Sequence, residues 1–167
     1  MSVQRHRAEG RRTVGCALVT VSDTRTPETD GSGRRMRALI EDAGHRVQAY
    51  AVVPDDPARV RTHVEGLLRD RHELIVTSGG TGIAPRDTTY EALASLLEKR
   101  LDGFGELFRW LSWEQIGSAA MLSRAVAGVA AESIVAVLPG STAAVELALE
   151  RLILPELGHM VSLVRPG

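Results

Sequence analysis

Short apolar runs that alternate with amphipathic stretches constrain the fold of this chain more than any other feature of its sequence. The runs lie at residues 14–21, 47–53, 73–77 and 134–138. They are rich in β-branched residues and too short for buried helices, so each predicts a strand, and the nearly continuous run at 14–21 predicts a central parallel one. The stretches between them carry apolar residues at helical spacing. Strands that alternate with helices through short connections predict an α/β sandwich around a mainly parallel sheet.

The composition fits one soluble domain. The chain has 167 residues, of which 44% are hydrophobic and 25% are charged, with a net charge of −1, and a domain of this size buries a core of its own. The balanced charge gives no indication of nucleic acid as a partner, and no apolar run approaches the roughly 18 residues of a membrane span. The single cysteine, Cys16, excludes an intrachain disulfide and a thiolate zinc site. The N-terminus lacks the apolar segment of a secretory signal, so we expect a cytoplasmic protein.

The segments outside the strands also carry predictions of structure. Residues 1–12 are polar and rich in arginine, which predicts a flexible basic tail before a single domain at 13–167. Residues 88–91 (TTYE) match a capping box at the start of a helix. Residues 103–131 are predicted to be mostly helical, and a last helix is expected at about 142–152.

Small polar residues follow each predicted strand. They form the clusters Ser22-Asp23, Asp55-Asp56, 78–82 and Gly140-Ser141. In a mainly parallel sheet ligands bind beyond the carboxyl ends of the strands. We therefore expect these clusters to converge on one ligand site.

The glycine-rich cluster Gly79-Gly80-Thr81-Gly82 is a candidate anion site. Its glycines allow a tight turn that directs backbone N–H groups at one anion, although a plain flexible turn explains most stretches of this kind. The cluster lacks the third glycine of the dinucleotide-binding fingerprint. The chain has one lysine, Lys99, and no Walker-type motif, so backbone amides, helix N-termini, arginine or a metal ion must hold any phosphate.

The acidic positions leave alternatives open. Asp87 is either an ordinary carboxylate at a helix start or one that faces the anion site, and the second alternative implies Mg²⁺, because a carboxylate repels a phosphate without a cation between them. Of Asp55 and Asp56, one is expected to cap the helix that begins at Pro57, and the other is then free to orient a hydroxyl or to hold a cation. Ser141 is either a plain N-cap or a ligand contact.

Four of the six aromatic residues lie close together in the sequence, at Phe104, Phe108, Trp110 and Trp113. Packing in the core or between subunits is the favoured interpretation of this cluster. A pocket wall that stacks on a flat heterocycle is the alternative.

The ordered combination of these motifs resembles the MoaB/Mog family of molybdenum cofactor biosynthesis proteins. The resemblance covers about residues 13–160. The blocks that carry it are VTVSD at 19–23, VPDD at 53–56, TSGGTGIAPRDTT at 77–89, GFGE at 103–106 and LPGS at 138–141. Two further blocks, FRWLS at 108–112 and SAAMLSRAVAG at 118–128, resemble the MoaB branch of the family.

The resemblance implies a three-layer α/β fold that binds molybdopterin, a pterin with a dithiolene and a terminal phosphate. Active members transfer AMP from Mg²⁺-ATP to that phosphate and release pyrophosphate, so the expected activity is that of a molybdopterin adenylyltransferase. A non-catalytic carrier or scaffold that binds molybdopterin is the alternative function. Family members assemble as trimers, or as hexamers in the MoaB branch, and other proteins of the same biosynthesis are candidate partners.

The resemblance also implies site residues. The two functionally critical aspartates of the family correspond to Asp55 and Asp87, and Asp87 is the leading candidate for binding Mg²⁺. Positions that line the ligand cleft of the family correspond to Ser22, Asp23, Ser78, Gly79, Gly80, Thr81, Gly82, Glu106, Pro139, Gly140 and Ser141.

Overall fold

A six-stranded sheet lies at the centre of the part of the chain that the structure describes, residues 12–166 of a computed structural model. Its strands are β1 (Gly15–Val21), β2 (Arg46–Val53), β3 (Leu74–Ser78), β4 (Lys99–Arg100), β5 (Val126–Ala130) and β6 (Ser133–Leu138). Their order across the sheet is β2-β1-β3-β6-β5-β4. The first four strands in this order are parallel, and β5 and β4 pair antiparallel at one edge. The predicted α/β fold with a mainly parallel sheet is confirmed.

Helices connect the strands. In the described residues they are α1 (Gly31–Asp42), α2 (Pro57–Arg69), α3 (Thr89–Ala94), α4 (Asp102–Ile116), α5 (Thr142–Ala148) and α6 (Leu154–Val164). A 3₁₀ helix (Gly117–Leu122) follows α4, and a π-helical turn (Leu149–Ile153) joins α5 to α6. None of these described helices has both the length and the apolar character needed to cross a membrane.

The side chains of β1 divide between two apolar clusters. Cys16 and Leu18 pack in one cluster with residues of α1, α4, α5 and α6. Ala17 and Val19 pack in the other with residues of α2 and α3. Because successive side chains of a strand point to opposite faces, the two clusters lie on opposite sides of the sheet. The fold therefore has three layers.

The start of α2 shows which of the two adjacent aspartates, Asp55 or Asp56, caps this helix. Asp56 is the N-cap, since its side chain accepts a hydrogen bond from the N–H of Arg59 (2.9 Å), and Pro57 is the first helical residue. The prediction that one aspartate caps this helix is confirmed. Asp55 is the one that does not cap it.

The prediction that residues 103–131 are mostly helical is wrong in its second half. α4 ends at Ile116, and the next residue, Gly117, has a φ of 63°. Residues 126–130 form β5, which pairs with β6. Gly128 fits this strand because a Cβ at its position would lie 2.3 Å from the carbonyl oxygen of Lys99 in β4. Periodicity alone does not separate a strand from a helix in so short an apolar run, and the pairing with β6 favours the strand.

The capping box predicted at residues 88–91 does not form. Thr88 is the N-cap of α3, but its side chain makes no capping hydrogen bond. Glu91 instead forms an ion pair with Arg124. The local pattern assigned the Glu91 carboxylate to the helix start, but this carboxylate pairs with an arginine that is distant in sequence.

The two ends of the chain differ from the expectation in detail. The helix expected at 142–152 begins at Thr142, but α5 ends at Ala148 and the chain continues through the π-helical turn into α6. The tail predicted at 1–12 lies outside the described residues except for Arg12. Arg12 is exposed and forms an ion pair with Glu73.

Candidate ligand-binding site

A cavity of about 420 Å³ opens at the carboxyl ends of β3 and β6. The loops that follow these strands, 79–82 and 139–141, form one side of it together with Asp87. The other side comes from α4, the 3₁₀ helix and α5, and its apolar residues are Phe108, Ile116, Ala119, Leu122, Ala143, Ala144 and Leu147. A cavity with both polar and apolar lining suits a ligand that has a polar part and an apolar part.

The glycine-rich loop requires glycine at its first two positions. Gly79 has a φ of 102° and Gly80 a φ of 69°, a region that favours glycine. A Cβ on Gly79 would lie 2.3 Å from the carbonyl oxygen of Val21, and a Cβ on Gly80 would lie 2.0 Å from Thr89 Oγ1. The loop is therefore a tightly packed turn rather than a flexible connection.

The loop after β6 contacts the glycine-rich loop directly. A Cβ on Gly140 would lie 3.3 Å from the Cα of Gly79, and the N–H of Gly79 donates to the carbonyl oxygen of Leu138 (3.0 Å). Ser141 is the N-cap of α5, since its Oγ accepts from the N–H of Ala144 (3.1 Å). Ser141 is therefore an N-cap that also lines the cavity, and its contact with a ligand stays a prediction.

Asp55 lies beside the glycine-rich loop with one oxygen free. Its backbone N–H donates to Asp23 Oδ1 (2.9 Å). Its Oδ1 is buried without a hydrogen-bond partner, and it lies 3.3 Å from the position of a Cβ on Gly80. Burial, together with repulsion from Asp23 and Asp87, raises the pKa of Asp55 above its ordinary value, and the charge of Arg86 partly offsets this rise. Asp55 thus occupies a site with an excess of negative charge.

Asp87 folds back onto the glycine-rich loop. Its Oδ2 accepts from the N–H of Ala84 (3.1 Å), and its own N–H donates to the carbonyl oxygen of Ala84 (2.9 Å). A Cβ on Gly82 would lie 2.5 Å from Asp87 Oδ2. The carboxylate therefore faces the loop and the cavity, while Thr88 takes the N-cap position of α3.

Several side-chain oxygens around the loop are buried without a hydrogen-bond partner in the described structure. They are Asp55 Oδ1, Ser78 Oγ, Thr88 Oγ1 and Thr89 Oγ1. Buried polar atoms are usually paired, so four unpartnered oxygens around one loop are an unusual feature of the described structure. Among residues 12–166, no group of three or more His, Cys, Asp or Glu side chains is arranged to hold a metal ion. A cation bound here would complete its coordination with oxygens of the ligand.

Comparison with known proteins decides the family. Residues 17–159 match the family model described as "Probable molybdopterin binding domain". The chain belongs to this family. It is 49% identical to molybdenum cofactor biosynthesis protein B of Bacillus subtilis (strain 168) over 167 residues, which covers 99% of this chain and 98% of the relative.

Solved structures of the same family share the fold. The crystal structure of a molybdenum cofactor biosynthesis protein B matches with a TM-score of 0.90 and 46% identity, covering 93% of this chain and 98% of that one. The tungsten cofactor synthesizing protein MoaB from Pyrococcus furiosus matches with a TM-score of 0.82 and 36% identity, covering 92% and 98%. The Mog protein from Mycobacterium ulcerans matches with a TM-score of 0.82 and 25% identity, covering 92% and 100%. The predicted resemblance to the MoaB/Mog family is confirmed.

Five residues that the family resemblance assigned to the site do not line the cavity: Ser22, Asp23, Asp55, Ser78 and Glu106. Asp55 Oδ1 and Ser78 Oγ lie buried beside the glycine-rich loop. Ser22 shapes the turn after β1, where its Oγ accepts from the N–H groups of Thr24 (3.2 Å) and Arg25 (3.0 Å). Asp23 acts on the site through its contact with Asp55. Glu106 is an exposed residue of α4.

The aromatic cluster divides between two environments. Phe104 and Phe108 are buried with ring centroids 6.1 Å apart, whereas Trp110 is 61% and Trp113 60% exposed. Core packing is confirmed for the two phenylalanines. Phe108 also lines the cavity, and stacking of its ring on a flat heterocycle stays a prediction.

The sequence analysis missed the polar residues that α4 brings to the cavity. Ser112 and Gln115 lie one helical turn apart and both line it. The helical spacing from Phe108 to Ser112 was the available signal, since residues four apart share a helix face.

Proposed function

We propose that this protein binds molybdopterin in the cavity and transfers AMP from Mg²⁺-ATP to the terminal phosphate of the pterin, with release of pyrophosphate. One observation carries the proposal: the glycine-rich loop and Asp87 line one cavity, and the unpartnered oxygen of Asp55 is buried beside Gly80 of the same loop. Membership in a molybdopterin-binding family supports molybdopterin as the ligand.

The two sides of the cavity support a ligand of this chemistry. The apolar side chains of α4 and α5, including Phe108, provide a surface for the pterin ring. The tight turn at Gly79 and Gly80 keeps side-chain atoms away from the opposite side, where a phosphate can approach the backbone.

The carboxylates fit a divalent cation that arrives with ATP. Asp55 Oδ1 has no hydrogen-bond partner, and Asp87 lines the cavity beside the glycine-rich loop. Carboxylate oxygens together with substrate phosphates are the usual ligands of protein-bound Mg²⁺. We therefore assign Asp55 and Asp87 as the residues that hold Mg²⁺, whose charge, when it is bound, neutralises the phosphates.

The transfer needs positioning more than acid–base catalysis. A phosphate oxygen of molybdopterin forms a bond to the α-phosphorus of ATP, and the bond from that phosphorus to the oxygen bridging to the β-phosphate breaks, so pyrophosphate leaves with the electron pair. The attacking phosphate is already an anion, and no side chain has to remove a proton. The protein aligns the two phosphates and stabilises the charge that develops between them. The backbone N–H groups of the loop, together with a cation held by Asp55 and Asp87, would supply this stabilisation.

The variant Asp87→Asn tests the proposal. The amide oxygen of asparagine can still accept from Ala84, so the free energy of unfolding should change by no more than about 1 kcal/mol. Removal of the charge should lower molybdopterin-dependent pyrophosphate release by about a hundredfold or more, whereas binding of molybdopterin without metal should persist. Asp42→Asn is the matched control, because Asp42 is exposed at the end of α1, just before β2 begins.

Two results would contradict the proposal. Full activity of Asp87→Asn would remove Asp87 from the catalytic site. Tight binding of molybdopterin by the wild type without any pyrophosphate release would favour the carrier alternative.

A further inference from the structure

Arg124 hydrogen-bonds to the backbone of the glycine-rich loop and of Asp87, but it does not itself line the cavity. It lies between the 3₁₀ helix and β5, and its side chain is 27% exposed. Its Nε donates to the carbonyl oxygen of Thr81 (3.0 Å), and its Nη2 donates to those of Gly82 (2.6 Å) and Asp87 (3.1 Å). One guanidinium thus binds the backbone on both sides of the exposed segment 83–86.

The guanidinium is itself held in place by α3. Glu91 forms an ion pair with Nη1 and accepts a second, longer bond from Nη2 (3.4 Å). The Cζ of Arg124 also lies 5.0 Å from the ring centroid of Tyr90, within the range of a cation–π interaction. These contacts orient Arg124 toward the loop.

We infer that Arg124 is the positioning residue that sets the conformation of the loop 81–87. In a planar trans peptide the C=O and the following N–H point in opposite directions. The bonds from Arg124 to the carbonyl oxygens of Thr81 and Gly82 therefore fix the N–H groups of Gly82 and Ile83 on the side away from the guanidinium. The bond to the carbonyl oxygen of Asp87 fixes the backbone of a residue that lines the cavity.

This role depends on the shape of arginine as well as on its charge. The planar guanidinium presents several donors in a fixed arrangement, whereas the lysine ammonium is a compact point charge. A lysine at position 124 retains the charge for Glu91 and Tyr90 but does not span three carbonyl oxygens. Arg124→Lys therefore separates the effect of the guanidinium geometry from the effect of the positive charge.

Arg100→Lys is the matched control. Arg100 lies over the same ring of Tyr90, with its Cζ 5.8 Å from the centroid, and its Nη2 donates to Tyr90 Oη (2.5 Å). Its described hydrogen bonds include none to the loop 81–87. Arg100→Lys thus makes the same chemical change next to the same ring, but it removes no described hydrogen bond to the carbonyl oxygens of the loop.

Amide hydrogen exchange measured by mass spectrometry tests the positioning role without any ligand. In Arg124→Lys, exchange in the peptide 79–88 should be faster by about tenfold or more, because charged hydrogen bonds to the backbone are lost. Exchange in β1 and β3 should stay at the wild-type rate. In Arg100→Lys, exchange in the peptide 79–88 should also match the wild type.

The activity measurement rests on the proposed function and is read separately. Arg124→Lys should lower kcat for pyrophosphate release by about tenfold or more, and Arg100→Lys should leave it unchanged. Wild-type exchange in the peptide 79–88 of Arg124→Lys would overturn the inference. Faster exchange that extended to β1 and β3 would also overturn it, because Arg124 would then support the whole fold. If the wild type released no pyrophosphate, the proposed function would fail and the exchange data alone would decide the role of Arg124.

Discussion

Replacement of Gly80 by alanine should destabilise the protein for two reasons, the backbone conformation at residue 80 and a clash with the side chain of Thr89. Gly80 has a φ of 69°, and its Cβ would lie 2.0 Å from Thr89 Oγ1. The left-handed backbone conformation costs an alanine about 1–2 kcal/mol, and displacement of the packed Thr89 side chain costs about 1–3 kcal/mol. We expect the free energy of unfolding to fall by about 2–5 kcal/mol and Tm to fall by about 4–20 °C.

Urea unfolding of the wild type and four variants measures the two contributions. Gly31→Ala is the control, since Gly31 has no heavy atom within 4 Å of its Cβ position and no left-handed φ, and it should be as stable as the wild type. Thr89→Ala removes the nearest atom and leaves the Thr89 Cβ at 2.8 Å, so it should relieve the clash in part. A double-mutant cycle with Gly80→Ala should then give a favourable coupling of about 1 kcal/mol. If Gly80→Ala were as stable as Gly31→Ala, the tight packing of the loop would be refuted.

The remaining predictions concern two further carboxylates. Asp55→Asn should gain stability relative to the wild type as the pH rises from 3.5 to 7. Burial, and then repulsion from Asp23 and Asp87, raise the pKa of Asp55 in the folded protein, so ionisation of Asp55 opposes folding. If the two proteins differed in unfolding free energy by the same amount at both pH values, this prediction would be contradicted. Tyr50→Phe should lose about 1.5–3 kcal/mol in urea unfolding, because Tyr50 Oη donates to the fully buried carboxylate of Asp30 (2.5 Å). Burial and this hydrogen bond raise the pKa of Tyr50 to about 12, so the loss should be the same at pH 6 and pH 9, and an undetectable loss would show that the bond contributes nothing.

Three of the four parallel strands, β1, β3 and β6, could be predicted because they are buried on both faces. A strand such as β1 is then a continuous apolar run that ends at small polar residues, and both signals are local. β5 could not be predicted in the same way. Its run is short and contains Gly128, which the sequence analysis placed inside a helix. The close approach of the Lys99 carbonyl oxygen to Gly128 explains the glycine, and that approach is a tertiary contact.

Glu91 shows how a long-range contact overrides a local pattern. Its spacing from Thr88 fits a reciprocal cap, which stabilises a helix start by satisfying two backbone donors. In the structure Glu91 pairs with Arg124, and Thr88 makes no capping bond. The same arginine binds three loop carbonyl oxygens. Residue 124 lies in the block at 118–128 that resembles the MoaB branch, but the sequence does not show its contacts, because its partners come from a segment about forty residues away.

The adjacent aspartates at 55 and 56 show which part of a site the sequence determines. A helix that begins at Pro57 needs only one side-chain cap, so the pair predicts one capping carboxylate and one free carboxylate. The choice between them depends on where each side chain points when β2 ends. Asp56 accepts from the N–H of Arg59, while the backbone of Asp55 is held by Asp23 from another strand end. That contact leaves Asp55 Oδ1 buried and unpartnered beside Gly80. The residue types therefore follow from local chemistry, whereas the identity of the unpartnered oxygen follows from the contact between the residues that end β1 and β2.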